Sequence, residues 1–152
     1  MWFMQSIVNP WMAMLLRSPL HALVSGNVLL IEVTGKKSGR RYALPVNYAR
    51  AGDVVYILPG NPEQKTWWRN LRGGAVVRVW LGGKAQPGTA EILSGEKDHR
   101  AVAEGLAVYF QRFPAAAGMR QVRRSPNGAF DSIDLHEAAL HTVLVRVRLG
   151  ER

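Results

Sequence analysis

Hydrophobic positions change period several times along the chain, and each change marks an element. "NVLLIEVTG", from Asn27, is short and β-branched and predicts a strand. In "RRYALPVNYAR", Tyr42, Leu44, Val46 and Tyr48 alternate with other residues at period two, which predicts a second strand with one inward face. "AGD" is a turn signal, and "DVVYILPG" predicts a third strand. "AVVRVWL" puts Val77, Val79 and Leu81 on one face and Arg78 and Trp80 on the other, and Gly82-Gly83 then predicts a hairpin into "KAQPGTAEILSG". "LHTVLVRVRLG" closes the chain as a strand with Val143, Val145, Val147 and Leu149 on one face.

A helical period replaces this alternation in a few places. Ile7, Trp11, Met14, Leu15 and Leu20 predict an N-terminal helical segment over 1–25, its apolar face suited to core packing, to a membrane surface or to capping an apolar pocket. From Glu96 to about Phe113, Val102, Leu106, Val108, Tyr109 and Phe113 form an apolar stripe that Pro114 stops. "PEQKTWWRNLRGG" predicts a short helix closed by Gly73 and Gly74 in left-handed conformation. "AAAGMRQVRRSPNGAFD" reads as irregular, with part of it open to helix. Several short strands around few helices predict a mainly β, α+β domain, a closed or split antiparallel barrel with helical additions. Its expected parts are a barrel core over 28–94, a helix over 96–114 and a closing strand over 141–149, all in one domain over 1–152.

Composition narrows the chemistry. The 152 residues are enough to bury a genuine core, and 47% apolar with 20% charged residues is ordinary for a globular domain. Without cysteine there is no disulfide scaffold, thiol nucleophile, cysteine-ligated zinc or iron–sulfur cluster. The N-terminus lacks the early positive charge of a secretory signal, and Pro10 interrupts what a membrane span would need. The cytoplasm is therefore the expected compartment, with association to a membrane surface through the N-terminal segment left open. A net charge of +9 attracts polyanions.

That charge is densest in "VTGKKSGRRY", where Lys36, Lys37, Arg40 and Arg41 surround Gly35, Ser38 and Gly39. The stretch lacks the upstream glycine of a phosphate-binding Walker loop. Its ingredients still suit an anion: backbone N–H groups at the glycines forming a concave donor surface, a hydroxyl, and four cations. A solvated hairpin loop is the other reading. The four histidines, at 21, 99, 136 and 141, are scattered in sequence, so no metal site is expected, and no serine sits in a nucleophile elbow. In "GNPEQKTWWRNL" adjacent tryptophans cannot share one face of a helix, so one is expected to turn away from the main core contact. Trp67 or Trp68 could then wall a flat aromatic ligand with Asn70 fixing its edge, or plug the barrel end.

"LLIEVTGKKSGRRYALPVNY", "GDVVYILPG" and "KTWWRNL" occur in that order at hairpin-sized separations. This ordered set resembles the deazaflavin-dependent nitroreductase family of the flavin and deazaflavin oxidoreductase superfamily, over roughly residues 7–115. The resemblance implies an FMN-binding-like split barrel that holds coenzyme F-420. By position, Lys37, Ser38 and Gly39 match the loop that takes the coenzyme's phosphate and oligoglutamate tail, and Pro45 matches the proline of the next strand. Leu58, Pro59, Gly60 and Asn61 align with the strand end near the deazaflavin ring, and Trp67 and Asn70 match the W-x-x-N-L element lining the coenzyme site. Tyr42 stands where relatives often carry arginine, and the proline common before the tryptophan element is absent. The implied activity is hydride transfer to a quinone, enone or nitroaromatic acceptor, with Tyr48 and Tyr109 as candidate proton donors. FMN or haem as cofactor, and a carrier without catalysis, are the alternatives, with a nucleic-acid-binding basic domain as the third reading. Nucleic acid is not an expected partner, since the charge forms one cluster and no nucleic-acid-binding motif accompanies it. The expected partner is a small-molecule acceptor, and a homodimer is left open.

Overall fold

Strand β1 (Val28–Thr34) is buried at Leu29, Leu30 and Ile31 because it is clasped on both sides, by β2 (Arg41–Asn47) and β5 (Ala75–Leu81). The computed structural model describes residues 26–60 and 66–150. Its other elements are β3 (Ala49–Ala51), β4 (Val54–Ile57), a 3-10 turn (Trp67–Leu71), β6 (Lys84–Ser94), helices α1 (His99–Arg112), α2 (Pro114–Met119) and α3 (Ser132–Leu140), and β7 (Val143–Leu149). The strands form one seven-stranded sheet in the order β2-β1-β5-β6-β7-β4-β3, with every pairing antiparallel.

That order dictates the shape. β2 and β3 are the two edges of the sheet, yet Tyr48 alone separates them in the chain. A sheet whose far edges are consecutive has to curl until they meet, leaving a split between them. The result is a mainly β split barrel. Its interior holds Leu29, Ile31, Val79, Val55, Ile57 and Val145. A second apolar layer lies where α1 packs Leu106 and Phe110 against Leu93 and Leu144. Gly105 is where helix and sheet come closest: a Cβ there would stand 2.4 Å from Leu144 Cδ2 and 2.7 Å from the Tyr56 ring.

The expected strands form, with adjusted bounds. "RRYALPVNYAR" is two strands, because the chain leaves one sheet edge and enters the other at Tyr48, whose N–H donates to the Asn27 carbonyl at 3.0 Å. The Gly82-Gly83 hairpin has φ of +63° and +77°, the conformation of a type I′ turn. The closing strand begins at Val143 rather than 141.

The helices depart further. α1 spans His99–Arg112 rather than 96–114, and it buries Gly105 and Phe110, while Val108 and Phe113 are half-buried. Pro114 does stop α1, which ends at Arg112, and it also opens α2 at the first position, where its missing N–H leaves no hydrogen bond unmade. α3 is not among the expected elements. The Asp131 side chain caps it by accepting from Asp134 N–H at 2.9 Å, an Asp-x-x-Asp signature at positions 131–134. Trp67 and Trp68 are both buried, against the expectation that one turns away, because a tight 3-10 turn across the barrel mouth is enclosed on more than one side. The expected N-terminal helical segment over 1–25 lies outside the described residues.

Candidate functional site

A cleft of about 520 Å³ opens at the split. One wall is β2 from Leu44 to Asn47, another is the end of β4 with Ile57, Leu58, Pro59 and Gly60, and Trp67 lines it from the 3-10 turn. Tyr109 of α1 and Ala116, Met119 and Arg120 of the α2 region complete it. β2 is a sheet edge, so Pro45, which has no N–H to give a neighbouring strand, is tolerated there. Pro45, Leu58, Pro59, Gly60 and Trp67, all expected at the site, thus converge on one cavity. Asn61 lies outside the described residues.

The basic loop sits at the other end of β2. Gly35 N–H donates to the Arg40 carbonyl and Gly39 N–H to the Gly35 carbonyl, both at 2.8 Å, while Ser38 Oγ accepts from Arg40 N–H at 3.2 Å. The turn therefore uses the glycine amides itself, which corrects the expected concave donor surface. Closing a tight hairpin leaves those N–H groups no freedom to face a ligand. Gly39 is needed here because its φ is +72°, whereas a Cβ at Gly35 would meet only the exposed Ser38 Oγ, at 2.8 Å, which can rotate away. What the loop presents outward is side chains, with Lys37 and Arg41 exposed at its tip and its exit.

Asn70 ties this loop to the cleft. Its Oδ1 accepts from Lys36 N–H at 3.0 Å, and its Nδ2 donates to the Tyr42 hydroxyl at 2.7 Å and to the Trp67 carbonyl at 3.1 Å. Lys36 Nζ donates to the Arg72 carbonyl. The Asn70 amide thus holds protein groups on both sides of the turn. Arg69 and Arg72 lie over the Trp68 ring, each 5.4 Å from its centroid, and extend the basic surface from the loop across the barrel mouth.

Of the two candidate proton donors, Tyr109 lines the cleft and Tyr48 does not. Burial raises the phenols of Tyr42, Tyr48 and Tyr109 above their ordinary value. The Asn70 hydrogen bond works against this at Tyr42, Arg112 and Arg50 at Tyr48, and Arg120 at Tyr109. All three stay protonated through the neutral range. Because their folded pKa values exceed the unfolded ones, the stability they support is complete below about pH 10 and falls as pH rises through the folded values. Denaturant midpoints followed by tryptophan fluorescence should therefore drop from about pH 10 upward. A midpoint flat beyond that would mean that the phenols ionise as easily folded as unfolded.

The fold also brings together what the sequence kept apart. His99 and His136 meet edge to face with ring centroids 3.9 Å apart, and His99 Nε2 lies 3.0 Å from the His136 carbonyl. Among the described residues no group of three metal-ligating side chains forms. Ala116, Met119 and Arg120 were not anticipated at the cleft. Pro114 before a run of small residues was the available sign of the helix that carries Ala116 and Met119 and leads into Arg120.

Two of the solved structures that share this fold illustrate the likeness. An F420-H2 dependent reductase (FDR-A) superposes with a TM-score of 0.55 at 20% identity, covering 80% of this chain and 93% of its own. A structure described as a domain-swapped dimer superposes with a TM-score of 0.57 at 18% identity, covering 94% and 96%. Among curated proteins none matches the chain. Residues 12–113 match the family described as F420H(2)-dependent quinone reductase, a span of well over half the chain that contains the basic loop, β2, the tryptophan turn and α1. By that match the chain belongs to the F420H(2)-dependent quinone reductase family of oxidoreductases.

Proposed function

We propose that this chain transfers a hydride from reduced F-420 to an electron-poor acceptor of the quinone, enone or nitroaromatic type. The observation that carries the reading is the joining of a basic loop and an apolar cleft along one strand. β2 rises about 3.3 Å per residue, so Arg41 stands about 10 Å from Leu44 at the near side of the cleft and about 20 Å from Asn47. An elongated ligand with a polyanionic tail and a flat ring matches that layout. Lys37 and Arg41 would hold the tail by charge-assisted hydrogen bonds, with Ser38 and Gly39 shaping the turn. Pro45, Leu58, Pro59 and Trp67 would flank the ring and exclude water.

When bound, the coenzyme supplies the hydride chemistry. The chain's own residues orient the ring against β2, keep the cleft dry, and hold a proton at the Tyr109 hydroxyl. The partner within this reading is the small-molecule acceptor. A second copy of the chain is another that it admits, given the domain-swapped dimer among the similar folds. Among the described residues no helix is long and apolar enough to cross a membrane.

Quenching of the tryptophans by F-420, FMN and haem tests the cofactor, and oxidation of reduced F-420 by menadione or a nitroaromatic tests the reaction. Lys37→Ala should weaken F-420 binding about tenfold, the loss of one charge-assisted contact. Unchanged affinity would remove the tail assignment. Tight F-420 binding with no oxidation by any acceptor would make the protein a carrier.

A further inference from the structure

Arg120 enters the cleft wall from just beyond α2, past the segment that the family match covers. Its backbone N–H donates to the Ala117 carbonyl at 3.1 Å, which fixes where the side chain starts. Its Nη1 donates to Thr142 Oγ1 at 3.2 Å. Thr142 is 3% exposed, and its hydroxyl proton is committed to the Ala138 carbonyl at 2.7 Å, so its oxygen can only accept from the arginine. One donor of the guanidinium is thereby anchored, out of the five that an arginine carries. Among the described residues no carboxylate pairs with it.

Tyr109 lines the same cleft and is 6% exposed. Its ring packs on Phe113 with centroids 4.8 Å apart, and among the described residues its hydroxyl has no hydrogen-bond partner. A buried phenol normally finds one. Among the described residues, the cleft thus carries a partly buried cation without a counter-ion and a buried hydroxyl without a partner. Both needs are met by one ligand oxygen that bears negative charge.

We infer that Arg120 is the specificity-determining residue for the acceptor, holding the carbonyl oxygen on which charge develops, with Tyr109 donating to the same oxygen. This rests on the proposed hydride transfer and concerns its carbonyl acceptors, the enones and quinones. As the hydride reaches the electron-poor carbon of such an acceptor, the conjugated π bond opens and its electron pair moves to the oxygen. The oxygen becomes an enolate or phenolate paired with the Arg120 guanidinium. It then takes the Tyr109 proton, which solvent restores, and the donor, a reduced deazaflavin, leaves oxidised by two electrons. Burial lowers the Arg120 pKa from its ordinary value, yet an arginine remains charged throughout the neutral range. Burial keeps Tyr109 in its protonated form.

The test uses the whole chain without F-420. Lawsone, a hydroxynaphthoquinone that is an anion at neutral pH, serves as the charged probe and menadione as its neutral counterpart, each followed by tryptophan quenching. Arg120→Met keeps the length and removes the charge. It should weaken lawsone binding about ten- to a hundredfold while changing menadione binding less than about threefold. Equal losses for the two quinones, or none for lawsone, would overturn the inference. If Arg120→Met does not fold, Arg120→Lys keeps a point charge without the fork and should show a smaller loss confined to lawsone; equal losses for the two quinones, or none for lawsone, in that variant overturn it as well. Failure of the wider reading looks different. Wild-type protein that prefers lawsone through Arg120 but never oxidises reduced F-420 leaves the anion site standing and removes the hydride transfer.

Discussion

Gly95→Ala should cost about 3 kcal/mol or more, the largest single loss expected outside the barrel interior. Gly95 follows β6, where the chain crosses beneath the end of α3. A Cβ added there would stand 1.8 Å from the Ala139 carbonyl oxygen and 2.8 Å from the Leu140 backbone. Those are backbone atoms, so no rotamer change relieves the overlap; the α3-to-β7 connection must move. Gly95 N–H donates to the Thr142 carbonyl at 3.0 Å, and Thr142 in turn anchors Arg120. Displacing this crossing therefore disturbs the cleft wall as well as the second apolar layer. Gly118→Ala is the control: nothing lies within 4 Å of its would-be Cβ, and alanine favours helix, so that variant should be neutral or slightly stabilised. Chemical denaturation of the two variants checks the contrast. If Gly95→Ala unfolded at the wild-type midpoint, the crossing would be far looser than these distances state.

What could be read in advance follows where the information lies. Turns are local chemistry, and Gly73, Gly74, Gly82 and Gly83 all take the positive φ that their positions suggested. Alternation in β2 and β7 is equally local and fixed which residues face inward. The basic loop was visible as composition, but its inner geometry was not. Whether Gly35 N–H faces a ligand or the Arg40 carbonyl depends on how tightly the hairpin closes. Adjacent tryptophans part on an α-helix, but a 3-10 turn docked over a barrel mouth obeys a different geometry and buries both. Arg120 was illegible for a deeper reason. Its place in the cleft depends on α2 docking beside α1, and on a threonine in a distant turn that holds its guanidinium.

Asn70→Ala should lower stability by about 2–3 kcal/mol and weaken F-420 binding more than Lys37→Ala does. Three hydrogen bonds meet on this side chain. Lys36 N–H is exposed and can turn to water, so losing that partner costs little. The bonds to the Tyr42 hydroxyl and the Trp67 carbonyl are partly buried, and most of the loss comes from them. The functional effect exceeds the energetic one because Asn70 is the strut between the loop that would hold the tail and the turn that carries Trp67 into the cleft. Removing it lets each half move without the other, and a ligand bridging both then has to order them on binding. Tyr42→Phe deletes one of the three bonds and leaves the rest of the strut in place, so it should cost about 1 kcal/mol with little change in F-420 affinity. In the double variant the two stability losses should add to less than their sum, since both remove the same Asn70–Tyr42 contact. Full additivity would place the Asn70 contribution elsewhere. Wild-type F-420 affinity in Asn70→Ala would show that loop and cleft hold their spacing through β2 alone.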